Sequence, residues 1–304
     1  MVVGTDIVKR WGSTSVLDGA SFRVSRGITG LLGTNGAGKT TLLGMMLGLH
    51  RPNDGSLRVL GLDPVRSGPA VRARVGYSPE HHILPPDTNA QDLVRHIAEV
   101  HGLPFREATG RASDALWQVG LGEERFRPIG TMSTGQRQRV KLAMAIAHDP
   151  RLVLLDEPTD GLDPVQRDDM LALIRRIGTE FGIDIIMSSH LLEEVERVCD
   201  GAVILSGGRV VASGPIAELT GGDRGLLVEV DDRADDLAAR LRHRGLVVET
   251  TGSRLVITRP SDAEAEGHDL YDAVRDDLVA SGAGLRRLTN RTVSLEDVFL
   301  EVGA

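Results

Sequence analysis

Apolar and polar residues alternate over residues 2–219 in a pattern typical of strands and helices layered in an α/β domain. Residues 151–156 and 183–190 are apolar runs without regular polar positions, as expected for parallel strands covered on both faces. Residues 164–181 lie between them and place apolar side chains at helical spacing. The three segments predict a βαβ unit, and the handedness rule places both strands in one parallel sheet.

The rest of the chain divides into a helical stretch and a tail. Residues 85–147 are mostly helical by pattern, with breaks near Gly102 and Gly120. After residues 221–222 the pattern changes to short strands at 226–230, 246–249 and 255–258 and helices at 235–242 and 270–280. We therefore predict an α/β domain at 1–220 with a helical subdomain at about 85–147, followed by a small α+β domain at 223–304.

Composition narrows the class of protein. A formal net charge of −8 over 304 residues argues against a general nucleic-acid binder, which usually carries a basic face. Cys199 is the only cysteine, and no Cys/His cluster has zinc-ligand spacing, so we expect a reducing compartment, the cytoplasm. We expect no secretory signal, because the first ten residues lack a charged start followed by a sustained apolar run. We also expect no membrane-spanning helix, because no run reaches ~18 consecutive apolar residues. Work at a membrane would therefore need a membrane partner.

A glycine-rich segment follows the apolar run at 28–32 and precedes a helical pattern at 41–49. It matches the P-loop motif, in which glycines turn backbone N–H groups toward phosphates at a helix N-terminus. Lys39 can reach the β- and γ-phosphates of a nucleotide, and the Thr40 hydroxyl can bind Mg²⁺. The predicted ATP-binding residues of this segment are Gly33, Thr34, Asn35, Gly36, Ala37, Gly38, Lys39, Thr40 and Thr41.

Two carboxylates and a histidine stand at the ends of the predicted parallel strands, where ligands of such sheets bind. Asp156 can hold magnesium through water, and Glu157 can orient or deprotonate the attacking water. His190 can donate a hydrogen bond to the γ-phosphate, although a lone histidine at such a position more often caps a helix or faces solvent. We predict Glu157, His190 and Lys39 as the catalytic residues.

Ser133, Thr134, Gly135 and Gln136 open another helical pattern. A serine and a glycine at a helix N-terminus form an anion site, although Ser133 also suits a plain N-cap. The segment resembles the signature motif of ABC ATPases, and the ordered motifs of residues 2–219 resemble that family as a whole. The resemblance implies ATP and Mg²⁺ as cofactors and a head-to-tail dimer, in which this signature loop contacts the ATP bound by the other protomer.

Three further site residues come from the same resemblance. Trp11 falls where the family has an aromatic residue that stacks on adenine, although an ordinary buried aromatic residue remains an alternative. Asp163 resembles the D-loop residue that crosses the dimer interface, and it also suits the N-cap of the next helix. Glu80 stands where many members have a glutamine that contacts magnesium, and a glutamate there adds charge. The resemblance and the motifs together make Thr40, Glu80 and Asp156 the expected metal ligands.

Two other positions depart from the usual family pattern. Thr134 replaces the first glycine of the signature motif, which restricts the backbone there. Thr34 replaces a common P-loop proline, a milder change because backbone groups bind the phosphate. We expect slower or partner-dependent turnover from these changes, since no group that hydrolysis needs is missing.

The tail and residues 77–80, Tyr-Ser-Pro-Glu, resemble the ATPase subunits of ABC-2 type exporters of drugs, antibiotics or lipids, such as daunorubicin-resistance proteins. An amphipathic helix capped by Ser294 and packed through Leu295, Val298 and Phe299 also explains the last residues. The resemblance implies a P-loop ABC ATPase core with an antiparallel β edge. It also implies a homodimer, or a pair with a related ATPase subunit, held at the inner face of the cell membrane by a separate integral membrane permease.

The predicted function is ATP hydrolysis coupled to export through that permease, with no nucleic acid as a partner. One alternative is a soluble ABC ATPase in translation or DNA maintenance, but this chain lacks a second cassette, a coiled-coil insertion and a basic surface. Another is the ATPase subunit of an importer, which more often has glutamine at position 80 and other C-terminal domains.

Overall fold

A computed structural model describes residues 1–81, 84–220, 225–258, 270–290 and 295–296, and in it the chain forms two compact units. The first unit covers Met1–Ile216, and the second begins at Ala217. Among the residues that the structure describes, no helix is long and apolar enough to cross a membrane.

The first unit contains nine strands and seven complete helices among its described residues. In chain order they are β1 (Val2–Trp11), β2 (Thr14–Val24), β3 (Ile28–Gly33), α1 (Lys39–Met46), β4 (Asp54–Val59), α2 (Gly68–Arg72), β5 (Val75–Ser78), α3 (Ala90–Val100), α4 (Phe105–Gln118), α5 (Thr134–Ile146), β6 (Leu152–Leu155), α6 (Pro164–Glu180), β7 (Asp184–Ser189), α7 (Leu192–Val198), β8 (Gly201–Ser206) and β9 (Arg209–Pro215). Two 3₁₀ turns, Glu123–Phe126 and Ile129–Thr131, precede α5, and α8 (Ile216–Leu219) lies across the boundary between the units.

The strands of the first unit form two sheets. The larger has the order β5-β6-β7-β3-β8-β9, in which only β9 runs antiparallel to its neighbour. Every residue of β3 and β6 is buried, as the continuous apolar runs predicted. The smaller sheet, β2-β1-β4, is antiparallel, so the predicted parallel core with an antiparallel edge is confirmed.

Strand register brings the carboxyl ends of three parallel strands together. Leu155 of β6 is paired with Met187 of β7, and Leu32 of β3 is paired with Ser189 of β7. The residues that follow β3, β6 and β7 therefore leave the sheet side by side, at the edge where ligands of parallel sheets bind.

The predicted helical stretch is confirmed as α3, α4 and α5. Asn89 caps α3 by accepting a hydrogen bond from the Asp92 backbone N–H. Helix α5 packs closely on β5, because a Cβ atom added to Gly76 would lie 1.8 Å from the Ala145 carbonyl oxygen. The absence of a side chain at this position lets the backbones of strand and helix approach each other.

The second unit contains β10 (Gly225–Val230), α9 (Ala234–His243), β11 (Val247–Thr251), β12 (Arg254–Thr258), α10 (Leu270–Ser281) and β13 (Leu285–Asn290). Its strands form one antiparallel sheet in the order β11-β12-β10-β13, the topology of a ferredoxin-like split βαβ fold. A separate core joins the sheet to both helices, through residues that include Leu226, Val228, Leu237, Ile257 and Val274. The predicted α+β architecture of the tail is confirmed.

Two details of the tail differ from the sequence prediction or fall beyond it. Strand β13 was not predicted, because its only apolar residues, Leu285 and Leu288, are spaced as in a helix. Pairing with β10 determines its conformation instead. The predicted terminal helix lies outside the described residues, including its Ser294 cap and Phe299, except for the helical residues Leu295 and Glu296.

Replacing Gly76 with alanine should lower the free energy of unfolding by at least about 2 kcal/mol, because the new methyl group would displace the α5 backbone at Ala145. Urea denaturation of the purified variant measures this loss. Gly110→Ala is the matched control, since Gly110 lies within α4 with no atom near its missing Cβ, and it should gain up to about 1 kcal/mol. Equal stability of the two variants would contradict the close packing of β5 on α5.

His148 predicts a pH dependence of stability. Its ring stacks on His101 with centroids 3.6 Å apart, and burial, with a smaller contribution from His101, lowers the pKa of His148 to about 4. Between pH 6.5 and 4 the unfolded chain therefore binds a proton at this residue that the folded chain does not, so stability falls as the pH falls. The loss should reach roughly 3 kcal/mol at pH 4.

Denaturation of the native chain and of His148→Phe at several pH values measures this dependence. The variant should lose less stability between pH 6.5 and 4 than the native chain, because phenylalanine keeps the stack without a titrating group. His96→Phe, at an exposed position of α3, controls for the loss of a histidine. Parallel pH profiles for the native chain and His148→Phe would contradict the assignment.

Candidate functional site

The glycine-rich loop between β3 and α1 forms one wall of a cavity of about 480 Å³. Gly38 immediately precedes the helix with φ +102°, in the left-handed region that favours glycine, and α1 begins at Lys39. The loop therefore leads directly into a helix N-terminus, where backbone N–H groups and the helix dipole favour an anion. No acidic residue lies in the first turn of α1 to oppose that anion.

Lys39 is buried and already has partners. Its Nζ donates to the Gly33 carbonyl oxygen at 2.6 Å and lies 3.0 Å from Glu157 Oε1. The lysine of the phosphate loop and the carboxylate after β6 therefore form a buried ion pair, although they are far apart in the sequence.

Asp156 and Glu157 are held by a serine that sequence reasoning missed. Ser188 Oγ donates to Asp156 Oδ1 at 2.7 Å and accepts from the Glu157 backbone N–H at 2.8 Å. Glu157 itself has φ +46°, unusual for a residue with a side chain. The polar ending of the run at 183–190 was the available signal, but only the register of β6 and β7 reveals the contact.

The second oxygen of Glu157 contacts the predicted histidine. His190 Nδ1 lies 2.9 Å from Glu157 Oε2, and the His190 side chain is partly exposed to the cavity. Both carboxylate oxygens of Glu157 are thus engaged, one by Lys39 and one by His190. The structure brings the three predicted catalytic residues into direct contact.

Most of the predicted ATP-binding residues meet at the same cavity. It is lined by Val16, Thr34, Asn35, Gly36, Gly38, Lys39, Thr40, Thr41, Glu80, Glu157, Asp160 and His190. Gly33 and Ala37 belong to the same loop but do not line it. Trp11 does not line it either; its side chain is 47% exposed, with Lys9 Nζ 4.2 Å from the ring centroid and His50 edge-on at 5.0 Å. Trp11 is therefore not an ordinary buried aromatic residue.

The signature loop lies at the start of α5. Ser133 and Gln136 form a reciprocal capping box, with the Gln136 N–H to Ser133 Oγ at 3.2 Å and the Ser133 N–H to Gln136 Oε1 at 3.0 Å. Asp163 likewise caps α6 by accepting from the Gln166 N–H at 2.9 Å. Both N-cap interpretations are confirmed. None of Ser133, Thr134, Gly135, Gln136 and Asp163 lines the cavity, so one chain does not bring these residues to its own phosphate loop.

Lys141 of α5 is a second buried lysine near the site. Sequence reasoning missed its role. Its Nζ donates to the Glu80 carbonyl oxygen at 2.9 Å. The pKa of Lys141 is lowered, because the effect of burial outweighs the opposing effect of the carboxylates of Asp156, Glu80 and Asp160. The signal in the sequence was a lysine in a chain that otherwise uses arginine almost everywhere.

The predicted metal ligands offer chemistry that suits Mg²⁺. Asp156 is only 1% exposed, and its Oδ2 has no hydrogen-bond partner among the described residues. A buried carboxylate oxygen without a partner is costly unless a cation or a water molecule satisfies it. Thr40 and Glu80, which line the cavity, add the hard oxygen donors that magnesium prefers. The residues present therefore fit a magnesium ion.

A phosphate loop, a buried lysine and adjacent carboxylates at the carboxyl edge of a parallel sheet define a P-loop nucleotide-binding protein. A family model described as ABC transporter matches residues 17–160. The chain is 35% identical to Nod factor export ATP-binding protein I of Ralstonia nicotianae, over 97% of this chain and 91% of that protein. It is 33% identical to daunorubicin resistance ATP-binding protein DrrA3 of Streptomyces coeruleorubidus, over 97% and 93%.

A solved structure of the ATP-binding subunit of an ABC transporter superposes with a TM-score of 0.64 at 29% identity, covering 72% of this chain and 91% of that one. The chain belongs to the ABC transporter family, as an ATP-binding subunit. The resemblance seen in the sequence and the predicted fold class are confirmed.

Ser188→Ala should lower the free energy of unfolding by about 1–3 kcal/mol, because the Glu157 N–H and Asp156 Oδ1 would both lose a buried partner. Urea denaturation measures the loss. Ser56→Ala, at an exposed position of β4, should change stability by less than about 0.5 kcal/mol. A Ser188→Ala variant as stable as this control would mean that the serine does not support the two carboxylates.

Proposed function

We propose that this chain is the ATP-hydrolysing subunit of an ABC-2 type exporter, and that Glu157 directs water to the γ-phosphate of ATP bound at the phosphate loop. The observation that carries the proposal is the contact of Glu157 with Lys39 at 3.0 Å and with His190 at 2.9 Å, beside the loop cavity. This arrangement places a cation for the phosphate, a carboxylate for the water and a hydrogen-bond donor at one point.

ATP binding changes the partner of Lys39. A triphosphate in the loop attracts the Lys39 ammonium, which then leaves Glu157 Oε1 free to accept a hydrogen bond from water. His190 keeps its contact with Glu157 Oε2 and orients the carboxylate. Mg²⁺, held by Thr40, Glu80 and Asp156, would supply charge neutralisation at the phosphates.

The sandwich dimer of two such chains is also part of the proposal. Ser133, Thr134, Gly135 and Gln136 lie outside the cavity of their own chain, which supports a role toward the nucleotide of a second copy. Asp163 would cross the interface while it caps α6, and Trp11, being exposed, is available to stack on adenine. In this proposal, closure with ATP and opening after hydrolysis drive the transport cycle.

The export function and the permease rest on the relatives. Two of them are named for Nod factor export and daunorubicin resistance, and their similarity extends over both units of this chain. We propose that the ABC domain at 1–220 and the accessory domain at 223–304 act together at the inner face of the membrane. A separate integral membrane permease would select the cargo.

Glu157→Gln should bind ATP but hydrolyse it at least about 100-fold more slowly than the native chain, because an amide cannot take a proton from water. It should therefore accumulate as an ATP-dependent dimer. Light scattering with and without ATP and Mg²⁺, together with phosphate release, measures both effects.

Glu180→Gln, which makes the same change at the exposed end of α6, is the matched control and should behave as the native chain. Undiminished phosphate release by Glu157→Gln would contradict the role of Glu157. If Glu157→Gln binds ATP and stays monomeric, the isolated subunit does not form the proposed sandwich, and co-purification with the permease becomes the test of the dimer.

A further inference from the structure

Glu194 is a buried carboxylate near the site that the proposed mechanism does not use. It lies on α7, four residues after His190, and is only 4% exposed. It does not line the phosphate-loop cavity, so it is not placed to touch the nucleotide. A buried carboxylate must be offset by hydrogen bonds or a cation, and the donors that Glu194 uses are informative.

The two hydroxyl groups that donate to Glu194 belong to the loops that carry Glu157 and His190. Glu194 Oε2 accepts from Ser189 Oγ at 2.7 Å and from Thr159 Oγ1 at 3.0 Å. Ser189 immediately precedes His190, and Thr159 lies two residues after Glu157. One carboxylate oxygen therefore joins the two chain segments whose side chains meet as the Glu157–His190 contact.

The second oxygen of Glu194 faces α6. Its Oε1 lies 3.5 Å from Arg167 Nε, and Arg167 belongs to the first part of α6, the helix capped by Asp163. The segment between Thr159 and α6 includes Asp160, which lines the cavity. Glu194 thus contacts the beginning of this segment and the helix at its end.

We propose that Glu194 is a positioning residue that holds the Glu157 and His190 loops in register through Thr159 and Ser189; this inference rests on the proposed hydrolytic role of Glu157. Its Oε2 accepts hydrogen bonds from both hydroxyl groups only when the two loops lie in this arrangement. Loss of the bond to either hydroxyl frees one loop relative to the other and shifts the Glu157 carboxylate from its position beside the phosphate loop.

Small displacements of a reacting group can cost orders of magnitude in rate without a comparable loss of substrate affinity. Glu194→Gln and Thr159→Val should therefore lower kcat for ATP by about tenfold or more, with KM changed by less than about twofold. Valine has the shape of threonine without the hydroxyl, whereas Thr159→Ser retains the donor and should restore most of the rate. Combining Glu194→Gln with Thr159→Val should cost clearly less than the sum of the two single changes, because both act on the same hydrogen bond: glutamine replaces the charged acceptor with a neutral amide oxygen, and valine removes the donor.

Glu193→Gln is the matched control, since Glu193 is an exposed neighbour on α7, and it should leave kcat unchanged. Thermal unfolding of every variant separates positioning from general destabilisation. Fully additive effects of Glu194→Gln and Thr159→Val, or a loss of rate in Thr159→Ser equal to that in Thr159→Val, would overturn the inference.

The His190 signal provides a readout that does not depend on hydrolysis. In NMR spectra of the histidine-labelled chain without nucleotide, the His190 ring resonance, assigned with His190→Gln, should move in Glu194→Gln and Thr159→Val and stay in place in Glu193→Gln. An unmoved His190 resonance would show that Glu194 does not position the pair. A native chain that releases no phosphate would contradict the proposed function, and the NMR comparison would still decide the structural part of the inference.

Discussion

Lys39 and Glu157 form an ion pair of 3.0 Å at the edge of the parallel sheet, and both side chains are almost fully buried. Buried charges are costly unless they are paired and hydrogen-bonded, so this contact constrains everything around it. The Gly33 carbonyl satisfies Lys39 further, and Ser188 orients the backbone of Glu157. The ion pair and its hydrogen bonds also constrain three strands, since Gly33 ends β3, Glu157 follows β6 and Ser188 lies in β7.

All three lysines of the chain are buried, whereas the other cationic residues at its ion pairs are mostly arginines on the surface. Each lysine donates to a backbone carbonyl oxygen: Lys9 to Arg51, Lys39 to Gly33 and Lys141 to Glu80. An ammonium group is a compact charge on a flexible stem and reaches such an acceptor through a narrow space, while the planar guanidinium is better suited to carboxylates at the surface. Two of these lysines lie where charge must be balanced near the phosphate loop.

Sequence predicted what depends on neighbours along the chain. The phosphate loop, the buried strands of the βαβ unit and the caps at Ser133 and Asp163 are local patterns, and each was recovered in the structure. Ser188, Lys141 and Glu194 were missed because their roles arise from contacts between segments that are 31 to 61 residues apart. Strand β13 was not predicted for a related reason, since pairing with β10 overrides the weak hydrophobic pattern of the strand itself.

The pairing of Lys39 with Glu157 also determines the order of events that the proposed mechanism requires. While Lys39 Nζ lies against Glu157 Oε1, that oxygen is not free to accept a hydrogen bond from water, so the site is poorly prepared for hydrolysis without nucleotide. A phosphate in the loop competes for the same ammonium group and frees Glu157 at the moment when a substrate is present. Glu194 lies outside the lining of the cavity, and its contacts with Thr159 and Ser189 involve neither Lys39 nor the Glu157 carboxylate. Within one chain, freeing Glu157 therefore needs only a local side-chain movement of Lys39, while the loops that carry Glu157 and His190 remain where the fold has placed them.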